Sequence, residues 1–174
     1  MIKEKYVVSD ANILIDFLSV DLLDNFLSLP TEILTTDFVF HEIKTPEWMI
    51  LLEKEKNSKR IGVVGFPYEE MCAIGNLTLQ RGAGGLSFPD CSVLYLAKKC
   101  NGRLLTGDRR LRTFAEGIGV PVSGILFLFN CLVAEGLIPP SVAIERLEYL
   151  RQNNPRLPNE ECIEILGKWR AMMT

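Results

Sequence analysis

The sequence predicts an α/β domain: a mostly parallel sheet of about five strands, helices on both faces, and further helices at the carboxyl end. Three observations predict it. Short apolar or β-branched runs alternate with segments of helical period through the first 123 residues. Cap and turn residues mark the junctions. The intervals between runs are long enough for the crossover helices that parallel strands need. With 174 residues, 48% of them hydrophobic and 24% charged, the chain can bury a core as one compact unit.

Each element follows in order. Tyr6 to Ser9 is the first strand, and Ile13, Leu14, Phe17 and Leu18 then recur at helical spacing. Ile33 to Thr36 is the second strand, after which Asp37 caps a short helix holding Phe38, His41 and Glu42. A charged helix from Trp48 toward Lys59 precedes a third strand, Ile61 to Phe66, and a helix over Glu69 to Gln80. Past the glycines of RGAGG, Ser87 and Asp90 form an S-x-x-D box with Pro89 inside the first turn, a start signal for the helix Cys91 to Cys100. Arg103 to Thr106 is the fourth strand, Arg109 to Glu116 a helix stopped by Gly117, and Val120 to Ser123 the last strand. The division that results is a sheet-bearing region over residues 1–123 and a helical extension over 124–174, packed on the same domain. In that extension Ile125 to Glu135 is apolar nearly all round, and Cys162, Ile165, Leu166, Trp169 and Met173 make a stripe suited to a core, a homodimer or a partner protein.

Several classes are excluded. The start MIKEKY has no signal-peptide apolar region, and Gly124 to Ile138 is too interrupted and short to cross a bilayer, so a cytoplasmic protein is expected. Five scattered cysteines with no C-x-x-C pair fit reduced thiols rather than disulfides or a zinc site. His41, the single histidine, is read as a packing residue. A net charge of −3 argues against a surface that coats nucleic acid, so any such contact needs a local patch such as Arg103, Arg109, Arg110 and Arg112. The glycines Gly82, Gly84 and Gly85 lack the endings of phosphate-loop and dinucleotide fingerprints.

In open parallel sheets function collects at the carboxyl ends of the strands. Asp10, Glu42, Asp90 and Asp108 fall near those ends or at the adjoining helix starts. Singly, Asp10, Asp90 and Asp108 read as helix caps and Glu42 as a solvated residue. Together, carboxylates crowding one cleft repel and raise one another's pKa unless a cation intervenes, and oxygen-only donors favour Mg²⁺ or Mn²⁺. Asp16, well round the helix from Asp10, is expected to face solvent.

The strand-Asp-x-Asn start (Asp10, Asn12), TTDFVFHEI with Glu42, LSFPDCSVLYLA with Asp90, and LLTGDRRL with Thr106 and Asp108 resemble, in order and spacing, the acidic motifs of PIN-domain ribonucleases. These include VapC-type toxins. The tail resembles the helical extension of a less characterised PIN subgroup. The resemblance implies a three-layer α/β/α fold and an endoribonuclease whose Asp10, Glu42, Asp90 and Asp108 hold one or two Mg²⁺ or Mn²⁺ ions. Asn12 and Thr106 would support that site, Arg109 and Arg110 would contact RNA, and a small antitoxin would be the partner. Two other classes stand beside it: a haloacid-dehalogenase-type phosphohydrolase, weakened because its D-x-D pair meets Asn12 here, and a PIN-like binding module without hydrolysis.

Overall fold

A computed structural model describes residues 1–173. In chain order the elements are β1 (Tyr6–Ser9), α1 (Ala11–Ser19), α2 (Leu23–Phe26), β2 (Glu32–Thr36), α3 (Asp37–Phe40), α4 (Pro46–Asn57), β3 (Gly62–Val64), α5 (Tyr68–Thr78), α6 (Phe88–Lys99), β4 (Arg103–Leu105), α7 (Arg109–Gly117), β5 (Val122–Ser123), α8 (Ile125–Ala134), α9 (Pro140–Asn153) and α10 (Asn159–Ala171). The five strands form one parallel sheet in the order β3-β2-β1-β4-β5, so the first strand of the chain is the central one. Being covered on both faces, it is apolar on both.

Alternation along the strands divides the core into two layers. Val7 and Leu105 face a large cluster with residues from α1, α2, α4, α8, α9 and α10, whereas Val8 and Leu104 face a second with residues from α5, α6 and α7. The arrangement is therefore three layers, α/β/α. The larger layer contains a run of rings: Phe26 on Phe17 at 4.5 Å between centroids, Phe17 near Phe129 at 5.9 Å, and Phe129 near Trp169 at 6.2 Å. No described helix is long and apolar enough to cross a membrane. All five cysteines are free.

Several local expectations are corrected. α7 runs through Gly117 and stops one residue pair later, where Gly119 at φ 81° allows Gly119 N–H and Val120 N–H to bond back to Glu116 O and Ala115 O. The last strand is only Val122–Ser123, and α4 begins earlier than read, with Pro46 in its first turn. Thr36, not Asp37, caps α3: its hydroxyl accepts from Val39 N–H, while Asp37 accepts only from the adjacent Phe38 N–H. His41 is exposed, set edge-on to Phe40 rather than packed. Met173, at the end of the predicted apolar stripe, is 58% exposed, whereas Cys162, Leu166 and Trp169 are buried.

One glycine is fixed by close approach at the entry to β4. A Cβ on Gly102 would lie 2.8 Å from Tyr6 O and 2.9 Å from Cys100 Sγ. Gly102→Ala is therefore expected to destabilise the fold by roughly 1–3 kcal/mol, read as a lower urea midpoint at unchanged slope.

Candidate active site

Asp10 stands where β1 ends against β4. Its N–H donates to Leu105 O at 3.0 Å, continuing the ladder one residue beyond the strand, and its carboxylate then caps α1. Oδ1 accepts from Ala11 N–H at 2.7 Å, and Oδ2 from Asn12 Nδ2 at 2.6 Å and Thr106 Oγ1 at 2.8 Å. The side chains of Asn12 and Thr106 thus support Asp10 from two sides. Asn12 Oδ1 in turn accepts from Gly107 N–H at 2.8 Å, and Thr106 Oγ1 from Asp108 N–H at 3.0 Å. This small network pins the β4–α7 turn to the start of α1.

Asp90 arrives from the other side. Ser87 and Asp90 close the expected capping box, Ser87 N–H donating to Asp90 Oδ2 at 2.7 Å and Asp90 N–H to Ser87 Oγ at 3.2 Å. One turn on, the hydroxyls of Ser92 and Thr36 meet at 2.8 Å, both fully buried, so the first turn of α6 is tied to the carboxyl end of β2. Thr35 Oγ1 donates to Ser9 O at 2.8 Å and joins β2 to β1 at the same level. Glu42 follows α3 and is exposed.

Electrostatics connect three of the four acids. Asp10, only 4% exposed, has its pKa pushed up to about 6, first by burial and then by the negative charges of Asp90 and Glu42, with the Thr106 hydrogen bond opposing. Glu42 is also raised, by desolvation and by Asp90. Asp108 differs: its Oδ1 accepts from both Arg110 N–H and Leu111 N–H at 2.8 Å, which is the work of a helix cap. Among the described residues no group of three or more His, Cys, Asp or Glu side chains is gathered closely enough to hold one metal ion. In donor type, Asp10, Asp90 and Glu42 nevertheless fit a hard divalent cation. They are oxygen donors only, Asp10 is desolvated, and mutual repulsion makes a cation favourable among them.

The arginines after Asp108 diverge. Arg109 lines a cavity beyond Asn12, whereas Arg110 lies over the glycine turn, where a Cβ on Gly85 would come within 2.7 Å of its Nη1. Gly85 has φ 88°, so both its backbone and its neighbour favour glycine.

The sequence reading missed Asp16. It is buried, with 9% exposure, because residues from the α9–α10 connection cover it. Its Oδ1 accepts from Asn154 Nδ2 at 3.0 Å. Burial raises its pKa to about 6, against the lowering effects of Asn154 and Arg156. A signal was present, since Asp16 is four residues from Asn12 and shares its helix face.

Comparison with known proteins adds three findings. A family model described as a PIN domain matches residues 6–171. No curated protein matches. Among solved structures, the crystal structure of PAE2754 from Pyrobaculum aerophilum is similar in fold, with TM-score 0.53 and 20% identity over 75% of this chain and 98% of that one.

Proposed function

The chain belongs to the PIN-domain family, whose members are generally nucleases that use divalent metal ions, and from that premise we propose that it is a metal-dependent endoribonuclease. The observation that carries the reading is Asp10, a buried carboxylate whose pKa is raised to about 6 with Asp90 and Glu42 contributing. A helix cap alone requires no such company.

Asp10, Asp90 and Glu42 would hold Mg²⁺ or Mn²⁺, with Asp108 on the rim across Thr106. The ion, when bound, lowers the pKa of a water and offsets charge on the scissile phosphate. The chain's own residues supply the rest. Thr106 and Asn12 hold Asp10 in one orientation through Oδ2. The Ser87 box leaves Asp90 Oδ1 without a capping bond, available to the cleft. Arg109, exposed at the start of α7, would offset the negative cleft for a passing RNA backbone. Arg110 would do so from the glycine turn. In the cell we propose a toxin role with a small antitoxin partner.

The test is cleavage of a structured RNA panel with Mg²⁺, with Mn²⁺ and with chelator. Cutting is expected with either ion, none with chelator, and loss in Asp90→Asn protein whose circular dichroism is unchanged. Cutting that persists in chelator would sink the metal reading. No cutting with either ion would favour the binding module.

A further inference from the structure

The acid cleft leaves a neighbouring cavity without a role. It has a volume of about 660 Å³ and lies on the far side of Asn12, between α1, the start of α7, the β5–α8 junction and the α9–α10 connection. That size falls among small-molecule sites, about 300–1,000 Å³. Arg109 and Arg112 from α7 and Arg156 from the α9–α10 connection line it together with Asp16 and Glu161.

The charged groups are unequally engaged: the Glu161 carboxylate is exposed and has no hydrogen-bond or ion-pair partner among the described residues. Asp16 is buried and already bonded to Asn154. Arg112 is partly anchored, its Nη2 donating to Thr106 O at 3.2 Å and its Nη1 3.7 Å from Glu116 Oε1. The guanidinium groups of Arg109 and Arg156 have no hydrogen-bond or ion-pair partner among the described residues. The first turn of α8 also forms part of the wall, and its N-cap Gly124 offers no side chain to its amides. Guanidinium groups that make no hydrogen bond, Arg156 acting on Asp16 through charge alone, favour a phosphate beside a helix start. Phe127, Leu157 and Pro158 make the remaining wall apolar. A bare phosphate has no use for that wall, and an apolar ligand has none for the arginines. A nucleotide uses both.

We propose that this cavity is a nucleotide subsite, taking the unit of the RNA chain next to the scissile phosphate, its phosphate on Arg156 and Arg109 and its base and ribose against Phe127 and Leu157. Asn12 is the shared wall: it holds Asp10 on one side and lines the cavity on the other. The proposal rests on the ribonuclease reading for its place in the RNA chain, though not for its chemistry.

The test uses full-length protein with Arg156→Gln or Leu157→Trp, each checked for an unchanged fold. A labelled single-stranded RNA hexamer is titrated by fluorescence anisotropy at several salt concentrations, with adenosine and cytidine monophosphates as competitors, and cleavage is measured in parallel. Each variant is expected to weaken hexamer binding about tenfold and mononucleotide competition with it. Arg156→Gln should also flatten the salt dependence by about 0.7 in log–log slope, and Leu157→Trp should not. Variants that fold, bind and cut like the parent overturn the subsite and leave the nuclease standing. Nucleotide binding that both variants weaken, in a protein that cuts nothing, overturns the nuclease reading and leaves the subsite. A parent that binds neither probe overturns the subsite outright.

Discussion

Asp10→Asn protein is expected to lose RNA cleavage by about 10³-fold or more and yet to melt at a higher temperature than the parent at pH 8. The first effect follows from removing an anionic donor from the cleft, since the charge stabilisation lost is several kcal/mol. The second follows from the raised pKa. The folded state holds its proton up to about pH 6, whereas the unfolded chain releases it near 3.8. Stability therefore falls as pH rises from about 4 to about 6, and the full cost is present above that window. A shift of about two units sets a ceiling of roughly 3 kcal/mol. The gain should be smaller, because donors face both carboxylate oxygens, Ala11 N–H at Oδ1 and Asn12 and Thr106 at Oδ2, and an amide has an acceptor for only one of the two positions. An increase of about 1–2 kcal/mol at pH 8, or roughly 2–8 °C, that shrinks to nothing by pH 4 is the expected result. Asp16 titrates in the same window, so the difference between variant and parent is the quantity to read. A variant equally destabilised at both pH values would show that Asp10 is a cap and nothing more.

Trp169→Ala should cost about 3–5 kcal/mol, a large part of the roughly 5–15 kcal/mol that holds a domain together. Trp169 is 2% exposed and ends the run of rings through Phe129 and Phe17 to Phe26. Those residues belong to α10, α8, α1 and α2, so the loss is felt by the helix that also carries Asn12. Urea unfolding should remain one transition with a lower midpoint, and cleavage should fall with the folded fraction. Ile163→Ala on the same helix, at 53% exposure, should change stability by no more than about 0.5 kcal/mol. A two-step melt in which α8–α10 separate while the sheet persists would refute the single-core picture.

The sheet was legible because β1, β2 and β4 are buried strands whose β-branched and apolar runs stand out between capping residues. Asp90 was legible twice over. The S-x-x-D box forms as read, and the same carboxylate is one of the charges that raise Asp10, so the helix cap and the charge acting on Asp10 are one residue here. Asp10 likewise caps α1 while sitting in the cleft. For Asp108 the cap geometry is what its Oδ1 displays. What was not legible depended on distant chain. Asp16 looked like a surface acid because its cover, Asn154, lies 138 residues away. The parting of Arg109 and Arg110 was invisible because adjacent residues at a helix start point about 100° apart, and only the positions of Gly85 and the cavity say where. The stop of α7 was misplaced because two glycines stand in GIG and only Gly119 takes the left-handed conformation.

The central strand comes first in the chain but pairs with β4, and Asp10 meets the Thr106 hydroxyl across 96 residues. During synthesis on the ribosome, then, the amino-terminal strand waits for more than half of the polypeptide before its second neighbour exists. Asn25 waits longer still for Leu137, and Asp16 for Asn154. Pairings this distant in sequence close late and slow folding. The consequence is temporal: the turn that carries Thr106 and Asp108 reaches Asp10 only after the fourth strand has emerged, so the acid cleft is assembled late in synthesis.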